Sequence, residues 1–112
     1  MKPDIRKYLE DMLLSIEIIE EHLNGIKSLL EYEADQKTID SVERRLAIIG
    51  EALFKADKLD EFLIISDKKR IIGLRHILVH DYDLIDDSTI WLIVQRSLPL
   101  LKSELKQIMD SI

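Results

Sequence analysis

Residues 39–58, which read IDSVERRLAIIGEALFKADK, decide the class of the fold. The apolar residues of this stretch recur at steps of three and four, which is the period of one face of an α-helix. They are Ile39, Val42, Leu46, Ile49, Leu53 and Ala56. The spacing predicts a helix that ends near Lys58 and that turns one apolar face towards a core.

Three further segments with the same period flank this stretch. The first follows Asp4, a good N-cap, and stops at Asn24-Gly25, with one or two more turns at 26–32. The second runs from about Lys68 to His80 after a cap at Ser66 or Asp67. The third begins at Asp87 or Ser88 and continues to the C-terminus. Four long helices with short connections are therefore expected.

Two features inside these helices call for a structural reason. Gly50 and Gly73 each follow an Ile-Ile pair, and a helical glycine costs about 1 kcal/mol relative to alanine. They suggest either a close approach of the second and third long helices or ordinary packing of small residues. Pro99 lies inside the last helix, where it is expected to produce a kink.

The composition agrees with an all-α fold. The 112 residues include only 3 Gly, 2 Pro and 5% aromatic residues, whereas sheets need glycine at turns and aromatic residues on their faces. We expect a single domain over residues 1–112, an antiparallel, up-and-down bundle of four long helices plus a short one. No apolar run approaches the ~20 residues of a membrane span, and the charged start does not resemble a signal peptide. The expected location is the cytoplasm.

The net charge of −6 at first argues against a protein that binds nucleic acid. Its distribution weakens that argument. Residues 1–66 hold 15 acids and 9 bases, whereas residues 67–112 hold 7 of each. Four cations, Lys68, Lys69, Arg70 and Arg75, occur before residue 80 without an acid among them, and four aspartates follow by residue 87. We expect the stretch 68–80 to attract phosphate.

The segment 70–82, which reads RIIGLRHILVHDY, concentrates the side chains that carry chemistry. Histidine transfers protons near neutral pH, and arginine binds phosphate with a fork of donors. His76 and His80 are four residues apart and share a helix face, whereas Arg75 and His80 are separated by about 140°. Arg75 and His80 are thus expected to converge only where the helix loosens near His80 or where a second chain contributes.

The spacing of His76 and His80 also suits a metal ion, with Asp83 or Asp87 as a further ligand. The signal is weak, because no Glu follows His76 as in a zinc-protease motif and two histidines alone are common. We therefore predict no metal and no cofactor.

The motif Arg75-x4-His80-x-Tyr82 resembles the Arg-x4-His-x-Tyr motif of HEPN domains, and most of all the HepT toxins of MntA/HepT toxin–antitoxin pairs. The resemblance extends to the opening YLEDM helix, to RRLAIIGEA at 44–52 and to SLPLL at 97–101. His76 departs from the family, which commonly has Asn at that position. The resemblance implies a HEPN-like bundle, a homodimer and a metal-independent endoribonuclease. It also implies a minimal nucleotidyltransferase (MntA-like) antitoxin that transfers AMP to Tyr82.

These implied roles suit the residues. Cleavage by a ribose 2′-hydroxyl needs a base and an acid, and His80 serves as one of them, with Arg75 on the scissile phosphate. His76, Tyr82 or the second protomer has to supply the other proton transfer. Tyr82 orients phosphate or stacks on a base. Glu51 is expected either to support Arg75 or to be an ordinary exposed acid.

Two other functions remain open. The motif residues are also compatible with a helical interaction module in which they only stabilise a helix end. The third hypothesis is a noncatalytic substrate-binding or docking subunit of a minimal nucleotidyltransferase. In that case the acidic loop 81–87 would bind a basic patch on the partner.

Overall fold

The computed structural model describes the backbone of residues 3–112 and the side chains of residues 4–81 and 83–112. Every regular element in that part of the chain is helical, which confirms the predicted fold class. The α-helices are α1 (Pro3–His22), α2 (Leu29–Glu33), α3 (Gln36–Leu59), α4 (Lys68–His80), α5 (Asp87–Leu92) and α6 (Leu98–Asp110). A 3₁₀ turn (Tyr82–Leu84) follows α4, and a π-helical turn (Ile93–Ser97) joins α5 to α6.

Helix α3 is the centre of the bundle, since it packs against both α1 and α4. Its six predicted stripe residues are all buried, and so are the residues of α1 at matching steps, Ile5, Leu9, Met12, Ile16 and Ile19. The side chain of Asp35 caps α3 by accepting a hydrogen bond of 3.1 Å from the backbone N–H of Thr38. Helix α1 also contacts α6.

The termini of two helices differ in detail from the sequence predictions. Helix α1 ends at His22, and Gly25 has a φ of +90°, a conformation that glycine adopts without strain. At the start of α4, Asp67 occupies the N-cap position with a left-handed φ of 57°, and its side chain makes no capping hydrogen bond. Its carboxylate instead accepts a hydrogen bond of 3.4 Å from the hydroxyl of Ser97.

Pro99 acts on the last helix through a change in winding. The helical run continues from Asp87 to Asp110, and its irregularity is the π-helical turn that ends two residues before Pro99. Proline has no N–H to donate to the carbonyl four residues earlier, and a wider turn is one way in which a helix accommodates this loss. No helix in the described part of the chain is long and apolar enough to cross a membrane.

Candidate functional site: a cleft between α3 and α4

Helices α3 and α4 come very close together at Gly50. A Cβ atom at this position would lie 2.9 Å from the backbone oxygen of Ile71 and 3.0 Å from the Cβ of Arg75. Glycine is therefore required here, because any side chain would push the two helices apart. Of the two interpretations of these glycines, the close approach of the helices is present at Gly50. It is absent at Gly73, where a Cβ would meet no described atom beyond its own helix within 4 Å.

Two ion pairs establish the relative direction of the two helices. Lys68 Nζ lies 2.9 Å from Asp57 Oδ1, and Arg75 Nη1 lies 2.8 Å from Glu51 Oε2. Asp57, the later of the two α3 residues, pairs with Lys68, the earlier of the two α4 residues. The helices thus run antiparallel, and the basic start of α4 lies beside the C-terminal end of α3.

Arg75 is held from two sides. Besides the ion pair with Glu51, its guanidinium carbon lies 4.0 Å from the centre of the Phe54 ring, which is a cation–π contact. The Glu51 carboxylate also lies 3.8 Å from Lys55 Nζ. Of the two expectations for Glu51, the structure shows the contact with Arg75. The guanidinium is thereby oriented, and its charge is partly balanced by the carboxylate.

Beyond this ion pair the two helices enclose a cleft of about 270 Å³. Its lining residues are Arg44, Ala47, Ile48 and Glu51 from α3 and Arg75, Val79 and His80 from α4. Arg75 and His80 therefore line one cleft of a single chain. Both residues reach this cleft although α4 is regular through His80. The N–H of Asp81 still bonds to the carbonyl of Ile77 at 3.0 Å.

The two histidines of the motif lie against each other at the end of α4. Their ring centres are 5.0 Å apart, and His76 Nε2 lies 3.3 Å from Asp81 Oδ2. Both side chains are exposed, and of the two only His80 lines the cleft. His76 thus lies beside His80 but does not itself line the cleft.

Tyr82 and the acidic loop follow His80 in the chain. The backbone of Tyr82 begins the 3₁₀ turn after His80, but its side chain lies outside the described residues. Asp86 caps α5 and accepts hydrogen bonds from Ser88 and Thr89. Among the described side chains no three His, Asp or Glu residues lie together in a way that would hold a metal ion.

The basic stretch 68–80 is less positive than its sequence suggests. Two of its four cations, Lys68 and Arg75, are paired with acids of α3. The other two, Lys69 and Arg70, are exposed near the start of α4, about 15 Å along the helix from His80. The positive charge of this stretch is therefore not gathered around the cleft.

Arg44 is a charged lining residue that was not predicted from the sequence. It lies seven residues before Glu51 and therefore on the same face of α3, two turns away. The sequence offers two signals for it, this spacing and its place at the start of the family-like stretch 44–52. The spacing becomes meaningful only when Glu51 is known to face α4.

Comparisons with known proteins place this chain in a family. Residues 12–108 match the model of the HepT-like family, described as "Ribonuclease HepT-like". The chain is 31% identical over 111 residues to "Probable ribonuclease HepT" of Thermococcus cleftensis, covering 96% of this chain and 98% of the relative. It is 33% identical over 108 residues to a "Putative RNase" of Caldanaerobacter subterraneus subsp. tengcongensis, covering 94% of each.

A longer relative occurs in Methanocaldococcus jannaschii, "Gamma-glutamylcyclotransferase and putative RNase". It is 32% identical over 113 residues that cover the whole of this chain, which spans only half the length of that relative. No solved structure gives a significant match. The family match and these relatives confirm the resemblance inferred from the motif and the class of enzyme that it implied. The chain belongs to the HepT-like ribonuclease family.

Proposed function

We propose that this chain is a metal-independent endoribonuclease that cleaves RNA at the cleft between α3 and α4. The observation that carries the proposal is the presence of both Arg75 and His80 in the lining of one cleft. The family supports the class of reaction, and the cleft supports its location.

The chemistry follows from the two side chains. In the proposed reaction a ribose 2′-hydroxyl attacks the adjacent phosphate, the bond to the 5′ oxygen breaks, and a 2′,3′-cyclic phosphate remains. His80 handles one of the two proton transfers. The guanidinium of Arg75, held by Glu51 and Phe54, faces the negative charge that builds up on the phosphate. The other transfer falls to His76, whose ring lies beside that of His80, or to the His80 of a second chain.

A cleavage assay in EDTA tests this proposal. Wild-type protein should cut single-stranded RNA and leave cyclic phosphate ends, while His80→Ala and Arg75→Ala should each lose at least about 100-fold in rate. His22→Ala is a matched control, because His22 is an exposed histidine that contacts Ser41 outside the cleft. Unchanged circular dichroism of the variants separates lost chemistry from lost folding. Intact RNA at high protein concentration would contradict the proposal.

We further propose that the protein acts as a homodimeric toxin. Ile77 and Leu84, which lie on either side of His80 in the chain, are exposed apolar side chains. A second copy would cover these apolar side chains and bring a second His80 towards the RNA. Sedimentation should give the mass of two chains, and Leu84→Asp should reduce it to one.

The matching antitoxin in this proposal is a minimal nucleotidyltransferase that transfers AMP to Tyr82. Tyr82 directly follows the α4 cap residue Asp81, two residues beyond His80, so AMP at this position would add bulk and negative charge close to the cleft. Co-expression of the two proteins should add the mass of AMP to the peptide that carries Tyr82 and should abolish cleavage. A tight complex without modification would favour the alternative, a noncatalytic docking or substrate-binding subunit for the nucleotidyltransferase.

A further inference from the structure

The cleft has two ends, and its two arginines lie at different ones. Arg75 pairs with Glu51 at one end. From that pair, Arg44 lies seven residues back along α3, a rise of about 10 Å, and His80 lies five residues further along α4, a rise of about 7.5 Å. Because the helices run antiparallel, these two displacements point the same way. Arg44 and His80 therefore occupy the same end of the cleft.

The two arginines also differ in how their charge is used. Arg75 is partly buried, forms an ion pair and stacks on Phe54. Arg44 is exposed, and it forms no ion pair or hydrogen bond with any described side chain. Its guanidinium keeps its full charge and all of its donors for a ligand. The apolar wall formed by Ala47, Ile48 and Val79 lies between the two arginines along the cleft.

We infer that Arg44 is a substrate-binding residue, which holds an RNA phosphate at the end of the cleft where His80 acts. Arg75 is positioned for the reaction by its protein partners, whereas Arg44 anchors the strand to the protein. This inference rests on the proposed ribonuclease function, and it assigns a role to a residue outside the Arg-x4-His motif. The ligand class is a single-stranded RNA backbone, since the residue offers charge and donors for phosphate and the adjoining wall is apolar.

The test measures binding separately from cleavage. The probe is a short single-stranded RNA with 2′-O-methyl riboses, which lacks the attacking hydroxyl and stays intact. Arg44→Ala should weaken its binding about tenfold at low salt, the range expected for one charged hydrogen-bonded contact. The slope of log K against log salt should become shallower by about 0.7, the value for one phosphate contact on a single strand. Arg44→Lys should keep the slope, because the point charge remains.

Arg45→Ala is the matched control. Arg45 is the next residue on α3, does not line the cleft and forms no ion pair among the described side chains. Its loss should leave both the affinity and the slope unchanged. In cleavage assays, Arg44→Ala should raise KM more than it lowers kcat.

The outcomes separate this inference from the function on which it rests. Cleavage of RNA by the wild type, combined with equal binding by Arg44→Ala and Arg45→Ala, would overturn the role of Arg44 and leave the ribonuclease intact. Arg44-dependent binding without any cleavage would support the anchor and overturn the proposed reaction. Absence of binding by the wild type would overturn the anchor directly.

Discussion

Helix α3 carries acidic side chains at both ends, and the two ends use them differently. In the C-terminal half, Glu51 and Asp57 pair with Arg75 and Lys68 of α4 at 2.8 and 2.9 Å. These pairs cross the seam where the helices come closest. The two pairs thus place acids of α3 opposite bases of α4.

In the N-terminal half the acids face other acids. Burial raises the pKa of Glu43, and the nearby charges of Asp87 and Asp40 raise it further. The neighbouring Tyr32 is buried against Trp91, its hydroxyl has no hydrogen-bond partner among the described atoms, and burial raises its pKa as well. The comparison shows that acids on one helix stabilise or destabilise the protein according to the element that faces them.

The largest expected effect comes from forcing α3 and α4 apart in the half of α3 whose acids are paired. Gly50→Ala places a methyl group 2.9 Å from the backbone oxygen of Ile71, which cannot move unless α4 moves with it. We expect the free energy of unfolding to fall by about 1–3 kcal/mol, the usual cost of overpacking. Urea denaturation followed by helical circular dichroism measures the change.

Gly73→Ala is the control for this variant, because its Cβ would meet no described atom within 4 Å. It should raise the free energy of unfolding by about 0.5–1 kcal/mol through helix propensity alone. Equal effects of the two substitutions would show that the close approach at Gly50 has no energetic importance.

The two glycines also show what the sequence could and could not predict. Both follow an Ile-Ile pair. Gly50 falls between Leu46 and Leu53 on the apolar face of α3, but this placement does not predict which helix packs there. The buried stripes of α1 and α3 were predictable because their apolar residues recur on one face. Helix α4 has apolar residues on several faces, and only Ile71 and Leu74 among them are buried. The face of α4 that becomes buried is decided by its contact with α3, which lies earlier in the chain.

The residues of the candidate site also divide into those that could be predicted from the sequence and those that could not. Arg75 and His80 were predictable because their types and spacing carry chemistry even in isolation. Arg44 was not, because an arginine on an amphipathic helix is usually solvated, and the cleft is made by residues about 30 positions apart. Pairing of Arg75 with Glu51 was expected only as one of two possibilities. The pair forms only if Glu51 lies on the face of α3 that contacts α4, which the sequence does not specify.

A smaller effect is expected from the ion pair between Lys68 and Asp57. Their side chains are 20% and 34% exposed, so the pair is partly screened by water. A double-mutant cycle with Lys68→Met and Asp57→Asn should give a coupling energy of at most about 1 kcal/mol, which decreases as salt is added. Unfolding in urea at low and high salt measures it. A coupling that does not respond to salt would contradict the view that charge matching joins these helices.

The smallest expected effect lies at the opposite end of α3 and has the opposite sign. Glu43→Gln removes a charge that the fold disfavours, so the variant should be more stable than wild type at neutral pH, by less than about 1 kcal/mol because the side chain is partly solvated. The folded pKa of Glu43 is raised. The penalty is therefore full above that pKa and is relieved as the pH falls through it towards the unfolded value.

The gain from Glu43→Gln should accordingly shrink as unfolding is measured at lower pH, towards about pH 4. Asp86 provides a control of opposite sign, because hydrogen bonds from Ser88 and Thr89 lower its pKa. Asp86→Ala should destabilise the protein at neutral pH, and that loss should fade only as the pH falls through the lowered pKa of Asp86. If Glu43→Gln proved less stable than wild type at neutral pH, Glu43 would have to gain more from its surroundings than it loses to the two aspartates. The two ends of α3 would then be alike in stabilising their acids.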